Sequence, residues 1–157
     1  MTKLQVSAID PARLDKIRAD GHDGSGRPLA PFPAAGWEPL RCCLALAPAG
    51  ESILLVSYPP FTVASPWAET GPVFVHAERC PGYPVADELP AALRTGPRVL
   101  RTYHADGSLD YADITVVGEG TDIEEALVDL LGRPEVDVVH VRALAAQCFT
   151  YAVTRRS

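Results

Sequence analysis

Hydrophobic and polar positions along the chain fall into short runs, and their spacing predicts the elements. The clearest run is Ile123, Ala126, Leu127, Leu130 and Leu131, which follows i, i+3, i+4, i+7 and i+8 and so forms one face of a helix. Gly132 and Pro134 end it. A shorter helix opens at Asp10-Pro11, with Asp10 as N-cap, Pro11 at the first helical position, and Leu14 and Ile17 inward. Gly21 to Trp37 reads as a glycine-rich loop pinned by Phe32 and Trp37. From Leu40 the pattern is strand-like. Leu40–Ala47 and Ser52–Tyr58 are apolar runs joined by Pro48-Ala49-Gly50-Glu51 as a hairpin, and Pro72–Ala77 is a further short strand. The proline-rich stretch Pro81–Pro97 admits at most one helical turn, near Glu88–Arg94. Val99–His104 and Leu109–Val117 flank Ala105-Asp106-Gly107, a three-residue hairpin loop with Gly107 left-handed. That register puts Arg101 opposite Tyr111, with Asp113 on the diagonal and Tyr103 on the same face. Val136–Arg142 and Cys148–Val153 are the last two strands.

These elements predict an α+β fold in a single domain, 1–157: a mostly antiparallel, curved β-sheet of about six to seven strands packed on one main helix, plus the short N-terminal helix. With 157 residues, 47% of them hydrophobic, the chain can bury a core without staples. The formal charge of −6 and the lack of any basic stretch longer than Arg155-Arg156 argue against nucleic acid as a partner. The first ten residues lack the apolar core of a secretory signal, and no run approaches a membrane span. The expected setting is the cytoplasm, away from membranes. There Cys42, Cys43, Cys80 and Cys148 are most simply small buried hydrophobes.

Local motifs lend little chemistry. Gly118-Glu119-Gly120-Thr121 lies where a phosphate-binding turn would, but Thr121-Asp122-Ile123-Glu124 reads as a capping box whose acids would repel a phosphate. His76 and Cys80 make one close His/Cys pair, and His104 and Asp106 another; neither reaches the three ligands a metal needs. Cys42 and Cys43, placed on a strand, would point to opposite faces. No metal and no cofactor is therefore expected. The more informative feature is charge inside apolar strands: Arg41, Arg101, and the alternating pair His140 and Arg142. Such side chains either face water on a half-wet sheet or converge in a polar pocket. If they converge, the arginines suit an anionic ligand, which a guanidinium grips through a bidentate fork. Tyr58, Tyr103 and Tyr111 would add hydroxyls, and Asp113 would hold Arg101. Cys148 opens the last strand near His140, and a nucleophilic or redox role there competes with that of an inert core thiol.

The assembled motifs resemble a bacterial family catalogued as domain of unknown function 1203. The resemblance runs from Ile9-Asp10-Pro11 to Arg155. Its most specific pieces are Pro39-Leu40-Arg41, Gly50 through Tyr58, Ser65-Pro66-Trp67, Gly71-Pro72-Val73-Phe74-Val75, Arg101 through Gly107, Val139-His140-Val141 and Gln147-Cys148-Phe149. It implies one compact domain and no established reaction, and it favours Arg41, Arg101 and His140 as the polar residues to test. The chain departs from the family pattern at Leu40, usually Cys, at Trp67, more often Tyr, and at Arg142 and Ala143, where a second His and an Asn are usual. Any chemistry that relied on that second His and Asn is therefore in doubt here. The leading expectation is a pocket for an anionic or polar small molecule. In it Arg41, Arg101 and Arg142 meet the negative group, Tyr103 and Tyr58 orient the ligand, and His140 is the acid or base. The alternative is a non-catalytic assembly module, a homodimer built on the loop aromatics Phe61 and Trp67.

Overall fold

The computed structural model describes residues 1–157. Its elements run β1 (Leu4–Ser7), α1 (Pro11–Asp20), β2 (Phe32–Pro33), β3 (Ser52–Tyr58), β4 (Gly71–His76), β5 (Arg98–Tyr103), β6 (Thr115–Val117), α2 (Glu124–Leu131), β7 (Val138–Ala143) and β8 (Phe149–Arg155). Short 3-10 turns lie at Ala91–Leu93 and Tyr111–Asp113. The chain is α+β with antiparallel pairing throughout its named strands, but the strands form two sheets where one was expected. It divides into two compact units: Met1–Ser7, Phe61–Ala68 and Val85–Ser157 make the first, Ala8–Pro60 and Glu69–Pro84 the second.

The first unit carries a five-stranded sheet in the order β1-β8-β7-β5-β6, with α2 packed on β7 and β8. Side chains alternate across a strand, so Leu100, Val139, Val141 and Tyr151 share one wholly buried face, while Arg101, His140 and Arg142 project to the other. The apolar positions of α2 are as the periodicity requires, with Leu127, Leu130 and Leu131 buried. Its start differs from expectation. Thr121 makes no capping box; Asp122 accepts from the Glu124 N–H at 2.9 Å, and Arg94 draws off both carboxylates, binding Asp122 at 2.6 Å and Glu124 at 2.8 Å. The unforeseen β1 extends the sheet by pairing with β8.

The hairpin after β5 keeps its tight turn, with Gly107 at φ 84° and His104 N–H donating to Ser108. Beyond it the expected ladder breaks. Asp110 caps the turn Tyr111–Asp113 by accepting from Ala112 N–H, so the Tyr103–Leu109 pair and the Leu100–Thr115 pair belong to different registers. Arg101 consequently does not face Tyr111; on the other side of β5 it pairs with His140, and the partner of Asp113 is Arg133.

The second unit holds the sheet β2-β3-β4 and α1 around a core of Leu14, Leu40, Ile53, Val56, Val73 and Val75. Asp10 caps α1 as expected, accepting from Ala12 N–H, and Gly21 at φ 75° closes it. The predicted strand Leu40–Ala47 is instead a compact turn. Leu44, at φ 61°, donates back to the Leu40 carbonyl, and Leu40 N–H donates to Ala45. Arg41 N–H then donates to Phe74, tying the turn to β4.

Candidate functional site

The polar residues expected at a site separate between the units. Arg41 and Tyr58 belong to the second. Arg41 is buried at the start of the Leu40 turn. Tyr58 ends β3 with the Arg13 guanidinium 4.4 Å above its ring, and burial pushes its phenol up. It borders a cleft of about 580 Å³ that also touches Arg13, His22, Asp23 and Ser57. Asp23, to which no sequence motif points, organises that cleft. Its carboxylate accepts from Ser57 N–H and Arg27 N–H at 3.0 Å each and from the Ser25 hydroxyl at 2.7 Å. These donors hold its carboxyl well below the usual range.

The remaining expected residues meet in the first unit. Arg101 and His140 are direct partners across β5 and β7; Tyr103 and Arg142 lie on the same face. The His140 ring is 2% exposed and enclosed by aromatics. Tyr103 lies 4.7 Å from it, Phe61 4.9 Å and Phe149 4.9 Å, centroid to centroid. A bulge between Val141 and Arg142 makes Phe149 the partner of Arg142 and brings its ring to the imidazole. Burial, reinforced by the charges of Arg142 and Arg101, pushes the His140 imidazole down to about 3. The ring is therefore neutral at physiological pH.

The Tyr103 hydroxyl, in a residue 1% exposed, and His140 Nδ1 have no hydrogen-bond partner in the protein. An unmade hydrogen bond in such a setting costs about 1–3 kcal/mol. Arg142 is also buried and donates to the Gln147 carbonyl at 3.0 Å. Cys148 follows immediately, its thiol donating to the Ala146 carbonyl. The two loop aromatics are engaged within the unit: Phe61 edge-on to Tyr103 at 5.1 Å, and the Trp67 indole N–H donating to the Tyr111 hydroxyl at 2.8 Å.

A second cluster does not follow from the sequence pattern. Because Arg41–Leu44 form a turn and not a strand, Cys42 and Cys43 do not diverge. Both sulfurs approach His76 Nδ1, at 3.2 and 3.9 Å, and Cys80 completes a group whose ligand atoms all lie within 4.8 Å of one another. The Cys42 thiol shares its proton with Cys43, which is pulled down to about 6 while Cys42 is pushed up. The His76–Cys80 spacing is plain in the sequence; its partnership with Cys42-Cys43 depends on a left-handed Leu44 that no propensity suggests.

No helix of the chain is long and apolar enough to cross a membrane. No curated protein and no solved structure matches the sequence. The family described as "Protein of unknown function (DUF1203)" matches residues 37–155, which include the whole Arg101–His140 cluster and all four residues of the cysteine–histidine group. The chain belongs to the DUF1203 family.

Proposed function

We propose that the first unit binds a small anion on the face shared by β5 and β7. The observation that carries this reading is the pair of buried polar atoms without a protein partner, Tyr103 Oη and His140 Nδ1, set beside two guanidinium-bearing residues. A carboxylate or phosphate would accept from the Tyr103 hydroxyl and from Arg101, and would offset the Arg142 and Arg101 charges that add to burial in depressing His140. A bound ligand of this kind would make the missing hydrogen bond.

For a reaction at neutral pH, His140 enters unprotonated, so its role is that of proton acceptor or neutral hydrogen-bond partner, not acid. Bound negative charge raises its basicity. Self-association through Phe61 and Trp67 draws less support, because both rings already have partners within the unit.

The test is thermal shift against inorganic phosphate and simple mono- and dicarboxylates. A ligand at a hundred times its Kd adds about 2.7 kcal/mol, roughly 5–10 °C in Tm for a chain of this size. The shift is expected in the wild type and lost in Arg101→Gln. Silence across the panel, or an equal shift in the variant, overturns the reading.

A further inference from the structure

The second unit holds a group of side chains independent of the anion-binding face. We propose that Cys42, Cys43, His76 and Cys80 form a closed, four-ligand site for a thiophilic divalent cation of the zinc class.

The spacing of the four ligand atoms is compatible with a tetrahedral shell. Zinc bonds of about 2.3 Å to sulfur and about 2.0–2.1 Å to nitrogen place neighbouring sulfurs about 3.8 Å apart, and sulfur about 3.6 Å from nitrogen. Here Cys42 Sγ and Cys43 Sγ lie 3.2 and 3.9 Å from His76 Nδ1, on either side of that edge, and all four ligand atoms fall within 4.8 Å of one another. The two sulfur–nitrogen distances need a few tenths of an ångström, and no pair of ligand atoms needs more than about 1 Å, to close the shell. Three sulfurs and one imidazole suit zinc over magnesium or calcium, which take oxygen. Four protein ligands leave no open position, which marks a structural rather than a catalytic centre.

The surroundings fit the same reading. His76 Nε2 lies 2.9 Å from Glu51 Oε1, so a carboxylate takes the far ring proton and leaves Nδ1 as the ligand atom. That arrangement fixes the tautomer and strengthens the imidazole as a donor to metal. Backbone N–H groups donate to two of the sulfurs, from His76 to Cys42 at 3.4 Å and from Gly82 to Cys80 at 3.5 Å, as suits thiolates. Arg18 braces the ligand loop by donating to the His76 and Ala77 carbonyls at 2.9 and 3.2 Å. The ligands come from the Leu40 turn, the end of β4 and the segment after it. A metal would therefore join pieces of the second unit that are distant in sequence.

The test uses the full chain, purified without chelator, with metal content measured by elemental analysis and Co²⁺ as the spectroscopic probe. Expected are one zinc per chain, a tetrahedral thiolate spectrum on cobalt substitution, and protection of three thiols from a disulfide reagent with Cys148 still reactive. Cys148→Ser should leave stoichiometry and spectrum unchanged. Glu51→Gln, which keeps every ligand, should weaken metal affinity about 10–100-fold and guards against a ligand variant that simply fails to fold. A folded chain that takes up neither zinc nor cobalt overturns the proposal. So does an octahedral cobalt spectrum, or a Cys42–Cys43 disulfide in protein prepared without air.

Discussion

Replacing Tyr103 with Phe separates a binding hydroxyl from a structural one. The ring is 1% exposed and packs edge-on against Phe61 at 5.1 Å and beside His140 at 4.7 Å, contacts that phenylalanine keeps. What it loses is a hydroxyl with no protein partner. A buried hydroxyl that makes its bond contributes about 1 kcal/mol and leaves its partner stranded when removed; an unpartnered one costs about 1–3 kcal/mol of desolvation. The small void left behind takes back part of that gain. Tyr103→Phe is therefore expected to match or exceed wild-type stability, by up to about 1 kcal/mol or roughly 2–4 °C in Tm. Urea denaturation with an unchanged m-value is the assay, because a change in m would signal altered compactness rather than stability. The same variant should lose the anion-dependent shift. Destabilisation by more than about 1 kcal/mol at constant m would mean that the hydroxyl is already satisfied, and the case for a ligand there would fall.

Three further outcomes follow from particular contacts. Asp23→Ala strands the Ser57 and Arg27 N–H groups and should cost about 3 kcal/mol by urea denaturation; because the native carboxyl sits low, its contribution is full above an unfolded pKa of about 3.9 and is lost as pH falls below that value. A Cβ at Gly96 would overlap the Gly118 carbonyl oxygen, so Gly96→Ala should destabilise by at least the ~1–3 kcal/mol of an overpacked site, measured as a lowered Tm. His140 resists protonation in the native state, so the unfolded chain binds the extra proton once pH drops below about 6.5. Stability should then decline by up to about 1.4 kcal/mol per pH unit between roughly pH 6 and 4.5, above the range where Asp23 titrates. His140→Phe should flatten that slope.

Elements with a strong period are legible from residue spacing alone. Helix α2 can be read from Ile123 to Leu131, and the Gly107 turn from its three-residue loop, because each depends on local chemistry. Leu40–Ala47 is not legible in this way. An unbroken apolar run favours a strand until Leu44 adopts a left-handed conformation, held by the Leu40 carbonyl and by the tie from Arg41 to Phe74. The same turn hides the cysteine–histidine group, whose ligands are far apart in sequence. The β5–β6 register departs from expectation for a similar reason: Asp110 accepts from the Ala112 N–H and builds a 3-10 turn where alternation alone points to a continuous ladder. At the anion-binding face, residue types and shared strand faces mark Arg101, Tyr103, His140 and Arg142 as a set. Their enclosure does not follow from the pattern, since it rests on Phe61 from a distant loop and on the bulge that turns Phe149 toward the imidazole.

The most direct measurement of the central claim is ¹⁵N NMR of the His140 imidazole at about pH 6, well above its depressed native pKa, with and without the anion that thermal shift selects. The ring is expected to be neutral in the free chain. Its resonances should move on addition of the anion and stay still in Arg101→Gln. An imidazolium in the free chain, or a ring indifferent to an anion that stabilises the protein, would contradict the claim.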